Sequence, residues 1–229
     1  MFIPIHDGVA LHHIRYPFAT KSLLAVNIAL YLAALLGILG DTQRIDLGFG
    51  FIPAVLFGSA FLSPDLSVVA PELTLLTSMF LHAGFAHIAG NMLFLFVFGD
   101  NVEDAMGSLR FFFFYLACGA AAALAYGWMA PESQAPLIGA SGAVSGVVVA
   151  YLMLYPRVNV LGLVFAWLPL RIRAVWLIGA WILFQLGSAL FSADAGVGWW
   201  AHVGGMAAGA VLTPFLKRRD VPLFGDRNA

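Results

Sequence analysis

Residues 111–131 read FFFFYLACGAAAALAYGWMAP, a stretch without any Asp, Glu, Lys or Arg. A helix of about 20 apolar residues is long enough to cross the hydrocarbon core of a bilayer. Arg110 and Glu132 flank the stretch, so both of its ends are marked by charge. The stretch therefore predicts a transmembrane helix, and the rest of the chain repeats the pattern.

The composition of the 229-residue chain fits a membrane protein. Apolar residues make up 62% of it and charged residues only 10%, against about a quarter in a soluble domain. So few charges cannot cover a soluble globule, and a disordered chain has the opposite composition. The net charge of −1 indicates no nucleic-acid partner, and the single cysteine excludes an intrachain disulfide. We predict a polytopic, all-α membrane protein in contact with the lipid bilayer.

Six stretches without charge are long enough to span, which predicts a six-helix membrane domain over residues 22–216. The spans are expected at about 22–40, 80–99, 111–131, 138–156, 174–193 and 198–216. Residues 1–21 and 217–229 are the expected tails. Two further apolar runs are predicted to lie in the membrane interface: 47–64, which Pro53 and several glycines interrupt, and 158–170, which is too short to span.

The distribution of Lys and Arg predicts the orientation of these spans. With six spans and a cytoplasmic N-terminus, ten of the eleven residues lie inside and only Arg44 lies outside. A seventh span at 47–64 gives nine against two, so the charge count alone favours six spans only slightly. We expect both termini in the cytoplasm and an uncleaved first span, because no signal-peptide pattern precedes it.

A few polar side chains lie inside the predicted spans, where such groups are costly and often functional. Counted from the flanking charges, Ser141 and His202 lie at one level near the external surface. His87 and Asn91 lie near the same level and share a helix face, because they are four residues apart. Independent structural residues have no reason to agree in depth, although a single membrane serine more often bonds to its own helix.

The fourth and sixth spans also carry small residues that let helices approach closely. They form two pairs, each with four-residue spacing: Gly142 with Gly146, and Gly205 with Gly209. Close contact between the two spans would bring Ser141 within hydrogen-bond reach of His202. A serine needs a base to become a nucleophile, and His202 is the only histidine in the last three spans.

The remaining polar groups could stabilise the oxyanion that forms when a serine attacks a carbonyl group. His87, Asn91 and the backbone N–H of Ser141 can donate hydrogen bonds to an oxyanion. No Asp or Glu lies in the six predicted spans, so no third, acidic member is available. The pattern predicts a Ser-His dyad rather than a triad.

Three motifs give the chain a resemblance to a known family. They read Gly139-Ala140-Ser141-Gly142, Ala201-His202-Val203-Gly204-Gly205 with Gly209, and His82-Ala83-Gly84-Phe85-Ala86-His87 with Asn91. They resemble the GxSG, AHxxGxxxG and HxxxxHxxxN motifs of the rhomboid family of intramembrane serine proteases. The match covers residues from about 20 to 217, and the three motifs lie on spans four, six and two.

The resemblance implies a six-helix rhomboid-like bundle with a water-filled cavity open to the external side. It implies that Ser141 is the nucleophile, that His202 is the general base, and that His87, Asn91 and the Ser141 N–H form the oxyanion hole. His82 and the motif glycines Gly139, Gly142, Gly205 and Gly209 then support the site, and Glu103 matches a family acidic residue tied to structure. The resemblance implies no cofactor and no metal.

The chain departs from some bacterial members at two places. Those members carry Tyr four residues after the nucleophile, packed on the histidine, and this chain has Ser145 there. They also carry a Trp-Arg pair in the first external loop, where this chain reads Pro71-Glu72-Leu73-Thr74. The packing partner of His202, the role of Ser145 and the anchoring of the loop are therefore left open.

These observations predict an endopeptidase that cuts transmembrane proteins near the outer leaflet, at segments rich in Gly, Ala or Pro. A bacterial cytoplasmic membrane is the expected location. Three alternatives remain at this point: a channel or transporter, a zinc site built from His82, His87 and His202, and a non-catalytic rhomboid-like binder of membrane helices. The substrate, its regulation and the oligomeric state are not predicted.

Overall fold

The computed structural model describes residues 2–164, 167–192 and 198–225. The helices of this part of the chain are α1 Phe18–Leu35, α2 Thr42–Phe49, α3 Pro53–Leu56, α4 Thr74–Thr77, α5 Phe85–Met106, α6 Ser108–Met129, α7 Ser141–Leu154, α8 Ala174–Phe191 and α9 Trp199–Leu216. Its strands are β1 Phe2–His6, β2 Asn159–Val164 and β3 Leu168–Arg173. Short 3-10 turns at Pro71–Leu73 and Ser78–Phe80 flank α4.

Within the described ranges, four helices are long and apolar enough to cross a membrane: α1, α5, α6 and α8. The apolar helix α7 has 14 residues and is therefore only about 21 Å long. Helix α9 has 18 residues and includes Pro214 as well as His202. The mostly helical architecture confirms the predicted fold class, and the count of six spans stays a prediction.

Helix α7 lies at the centre of the bundle. It contacts α5, α6 and α9, and every residue from Gly142 to Tyr151 is buried. Because its neighbours surround it, α7 does not need the length of a lipid-exposed span. Helix α8, in contrast, is peripheral and buries only Ala174, Ile178 and Gln185 among the side chains of its 18 residues.

Glycines bring the backbones of α7 and α9 into contact. A methyl group added at Gly205 would overlap the carbonyl oxygen of Gly142, and one at Gly209 would overlap that of Gly146. Small residues allow this approach because no side chain separates the two helices. The contact sets the position of the first turn of α9 relative to the first residue of α7.

A three-stranded antiparallel sheet adds to the helical bundle an element that the sequence analysis did not predict. Its order is β1-β2-β3, with Ile3 opposite Leu163 and Leu161 opposite Arg171. The run 158–170, expected to lie in the interface, contains β2 and the start of β3, and its residues 165–166 lie outside the described part of the chain. Their strand partner β1 comes from the expected N-terminal tail, and pairing over such a distance leaves no local sequence signal.

Helix boundaries differ from the expected spans at several ends. Helix α5 begins at Phe85 rather than near residue 80 and continues past Asp100 to Met106. It continues because Glu103, which is fully buried, accepts hydrogen bonds from the backbone N–H groups of Ala19 and Thr20 at the start of α1. Asp100, the charge that marked the expected end of the span, thus lies inside the helix.

The run 47–64 contains the end of α2, a bridge between Phe51 and Leu137, and the short helix α3. It forms an ordered loop, and its predicted place in the membrane interface stays a prediction. The expected end of the fifth span at residue 193 lies outside the described residues, as does the end of the C-terminal tail, 226–229.

Candidate active site

Two side chains on α7 and α9 meet at one end of the bundle. Ser141 is the first residue of α7, and His202 lies in the first turn of α9. Ser141 Oγ and His202 Nε2 are 2.9 Å apart, which is hydrogen-bond distance. The other ring nitrogen of His202, Nδ1, is enclosed and has no hydrogen-bond partner in the described part of the chain. Among these residues the pair therefore lacks a third, orienting carboxylate.

An aromatic side chain one turn away packs on His202. The rings of Trp199 and His202 lie edge to face, with centroids 5.9 Å apart. Phe184 of α8 contacts Trp199 in the same way, at 5.8 Å. The sequence analysis left this partner open because position 145 is a serine, although the spacing of three residues on one helix places two side chains together.

His87 and Asn91 lie on α5 and face the same cavity as Ser141 and His202, which has a volume of about 250 Å³. The side-chain nitrogen of Asn91, Nδ2, is enclosed and has no partner among residues 2–164, 167–192 and 198–225. An amide N–H without an acceptor is a donor available to a ligand. The structure thus brings the four predicted side chains together around one space.

Gly139 positions His87 beside this space. Its φ of +121° favours glycine, and its backbone N–H donates to the carbonyl oxygen of Ser78 at 2.9 Å. A Cβ at this position would lie 2.6 Å from Nε2 of His87. The loop before Ser141 can therefore pass close to the imidazole only with glycine at 139.

His82 packs on His87 and does not line the cavity that contains Ser141. The two rings lie edge to face with centroids 5.2 Å apart. Both ring nitrogens of His82 are enclosed and make no hydrogen bond within the described residues. Its position is that of a packing partner of His87.

The hydroxyl of Ser145 is already used within α7. It donates to the backbone carbonyl oxygen of Ser141 at 2.7 Å, the local bond that helical serines commonly make. Ser145 lines the cavity, but its hydroxyl interacts with the helix backbone.

Two polar residues near the site were missed or left aside in the sequence analysis. Gln185 of α8 lines the 250 Å³ cavity, and Asp46 of α2 lines a neighbouring cavity of about 570 Å³ that also touches His87, Ser141 and His202. Burial raises the pKa of the Asp46 carboxyl above its ordinary 3.8. The sequence signal for Gln185 was its place on the apolar face of a predicted helix, where a polar side chain is unexpected. No local sequence pattern indicated that Asp46 lies near the site.

The zinc alternative requires three ligands that converge. Among the residues that the structure describes, no group of three or more His, Cys, Asp or Glu side chains could hold a metal ion. His82, His87 and His202 do not form such a group, and His82 lines neither of the two cavities that His87 and His202 share.

Fold and site together define a helical integral membrane protein with a Ser-His pair in a cavity. Residues 71–219 match the Rhomboid domain family, and the chain belongs to this family. It is 30% identical over 159 residues to Rhomboid protein 1, mitochondrial, of Saccharomyces cerevisiae, covering 66% of this chain and 43% of that protein. It is 27% identical over 161 residues to RHOMBOID-like protein 12, mitochondrial, of Arabidopsis thaliana, covering 63% and 46%.

A bacterial relative matches over a shorter segment. The chain is 44% identical over 78 residues to Rhomboid protease GluP of Bacillus subtilis, covering 34% of this chain and 15% of that protein. The chain spans less than half the length of these three relatives. Because two of the three carry the word mitochondrial in their names, the expected bacterial location stays a prediction.

Proposed function

We propose that the protein is an intramembrane serine endopeptidase that hydrolyses peptide bonds in membrane-protein segments. The observation that carries the proposal is the 2.9 Å contact between Ser141 Oγ and His202 Nε2. The name of the bacterial relative, a rhomboid protease, supports the same activity. The unpartnered donor of Asn91 beside this pair distinguishes the site from an ordinary polar contact between helices.

The geometry suits acyl transfer in two steps. Nε2 of His202 takes the proton of Ser141 as Oγ attacks the substrate carbonyl carbon. His87, Asn91 and the Ser141 N–H, which lies at the start of a helix, donate to the oxyanion that forms. His202 then gives its proton to the leaving amine, and the acyl-enzyme remains on Ser141. A water molecule, deprotonated by His202, releases the acid and restores the hydroxyl.

Membrane-spanning segments of other proteins are the proposed substrates. A peptide carbonyl within a helix is bonded to its own backbone, so the segment must unwind before Ser141 can attack it. Gly and Pro near the cut lower the free energy of that unwinding, because both are unfavourable inside a helix. The excess of Lys and Arg on one side supports an orientation with both termini in the cytoplasm and the site near the external surface.

Labelling with an alkyl fluorophosphonate in detergent tests the proposal at the nucleophile. We expect wild type and Ser145→Ala to be labelled at similar rates, because the hydroxyl of Ser145 is bonded to the backbone. We expect Ser141→Ala to show no labelling and no cleavage of a membrane-protein substrate.

Two outcomes would contradict the proposed activity. Labelling or cleavage that persists in Ser141→Ala would exclude this serine as the nucleophile. A folded wild type that is neither labelled nor able to cleave would favour a non-catalytic binder of membrane helices.

A further inference from the structure

Gln185 lies on the face of α8 that is otherwise apolar and packs against the bundle. Ala174, Ile178 and Trp181 precede it on the same face, with spacings of four, three and four residues. Ala174 and Ile178 are buried, and Trp181 contacts Phe94 of α5 with ring centroids 6.3 Å apart. The face that holds α8 to the bundle is thus apolar until it reaches Gln185.

The side chain of Gln185 is almost completely enclosed. Only 5% of its surface is exposed, and its amide oxygen has no hydrogen-bond partner in the described part of the protein. An enclosed acceptor without a partner is unfavourable, and an apolar side chain would fill the same place without this penalty. A polar residue kept at such a position in a membrane protein indicates a function.

The surroundings of Gln185 indicate what the amide binds. It lines the same cavity of about 250 Å³ as Ser141, His202 and Asn91. Around the Ser141 hydroxyl, the side chain of Asn91 and the helix N-terminus offer donors, which suit a substrate carbonyl oxygen. An unwound substrate also exposes backbone N–H groups, and these need acceptors where water is scarce.

We propose that Gln185 is a substrate-binding residue whose side-chain amide accepts a hydrogen bond from a backbone N–H of the unwound substrate next to the cut bond. The inference rests on the proposed protease function. The last torsion of a glutamine side chain is broad, so rotation turns the amide oxygen toward the cavity. Because the bond is to the substrate backbone, Gln185 favours extended peptide of any sequence over helical peptide.

Gln185→Leu tests this role, because leucine keeps an apolar contact and removes the amide. The substrate is an internally quenched peptide of Ala and Gly residues, assayed with the full-length protein in detergent. We expect kcat/KM for the peptide to fall roughly fivefold, the value of one hydrogen bond. The rate of labelling by an alkyl fluorophosphonate, which has no peptide backbone, should stay within about twofold of wild type.

Asn27→Leu is the matched control. Asn27 lies on α1 and is fully buried. Like Gln185, it has an enclosed side-chain oxygen without a partner among the described residues. It does not line the cavity of Gln185. We expect this variant to keep both rates, so a general effect of losing a buried amide would appear in it as well.

A set of peptides with single backbone esters separates binding from packing. Each peptide replaces one N–H with oxygen, at successive positions on both sides of the cut. We expect one ester to lower kcat/KM of wild type by the same factor as Gln185→Leu and to have no further effect in that variant.

The outcomes distinguish this inference from the proposed function. Three outcomes would overturn the role of Gln185 and leave the protease proposal intact. Gln185→Leu could cleave the peptide normally, it could lose labelling and cleavage equally, or every ester could lower kcat/KM of Gln185→Leu by the same factor as in wild type. A wild type that labels but cleaves no peptide, or does neither, would overturn both.

Discussion

Asn91 has a side-chain nitrogen that is enclosed and without a partner in the described residues. In the proposed mechanism this donor finds its acceptor only when an oxyanion forms. Asn91→Ala should therefore lower kcat by about 10²-fold, while the melting temperature in detergent stays within about 2 °C, because no hydrogen bond is lost from the folded protein.

Peptide cleavage and thermal unfolding of the same Asn91→Ala preparation measure kcat and the melting temperature. A large drop in melting temperature with unchanged kcat would show that Asn91 stabilises the fold and does not serve the reaction. Ser145→Ala, which removes a cavity-lining hydroxyl bonded to the helix, is the control for kcat.

The half-buried carboxyl of Asp46 should make the thermal stability of the protein depend on pH. Burial raises the pKa of its carboxyl above 3.8 in the folded state, so the folded state favours the protonated form. The resulting stabilisation is complete below the ordinary pKa and is lost as pH rises through the raised one. Asp46→Asn should therefore raise the melting temperature at pH 7 by about 1–2 °C and have no effect near about pH 3.5.

Asp65→Asn is the comparison for Asp46→Asn. The side-chain hydrogen bond with Ser63 lowers the pKa of the Asp65 carboxyl, so its substitution should not stabilise the protein at pH 7. Thermal unfolding of the three proteins from about pH 3.5, near the ordinary pKa of an Asp carboxyl, to about pH 8, well above it, checks both signs. Equal shifts in the two variants would refute the assignment to burial of Asp46.

At the scale of helices, the contact between α7 and α9 controls the distance between Ser141 and His202. A methyl group in Gly205→Ala would meet the carbonyl oxygen of Gly142 and push the helices apart. We expect a loss of about 1–3 kcal/mol in unfolding free energy and at least about 100-fold in kcat, because the 2.9 Å contact would lengthen.

Gly179→Ala on α8 is the matched control for Gly205→Ala. Nothing lies within 4 Å of a Cβ at Gly179, so alanine should leave activity unchanged and favour the helix by roughly 0.5–1 kcal/mol. Steady-state cleavage and detergent-based unfolding of both variants provide the comparison. Full activity of Gly205→Ala would show that the close backbone contact is not needed for the dyad.

At the scale of the whole molecule, Glu103 joins α1, α5 and α6 at the end of α5 that lies away from Ser141. Its two carboxylate oxygens accept hydrogen bonds from Ala19 N, from Thr20 N and Oγ1, and from Ser108 Oγ. In Glu103→Gln an NH₂ group replaces one of these oxygens, and it cannot accept the hydrogen bonds that the oxygen accepted. We expect the free energy of unfolding to fall by about 2–3 kcal/mol.

The exposed residue Glu72 provides the control for Glu103. Glu72→Gln should leave the melting temperature unchanged, and proteolysis near residue 18 should increase only in Glu103→Gln, because the start of α1 loses its acceptors. An unchanged melting temperature in Glu103→Gln would mean that the four hydrogen bonds do not stabilise the bundle.

Most of the helical architecture could be predicted from local composition. Long stretches without charge indicate helices because lipid cannot satisfy an exposed backbone, and α6 coincides closely with residues 111–131. The motif spacing also named the side chains that meet in the cavity. Charge was a poor marker of the helix end at Asp100, because α5 continues past it to Met106.

Three features depended on contacts between distant parts of the chain. The sheet pairs Ile3 of β1 with Leu163 of β2, and Gln185 and Asp46 line the cavities beside Ser141. A sequence pattern records what one element prefers, such as lipid on its surface or glycine at a close contact. Distances between side chains on different helices depend on how all the helices pack at once, and therefore the 2.9 Å separation of Ser141 and His202 is a property of the assembled bundle.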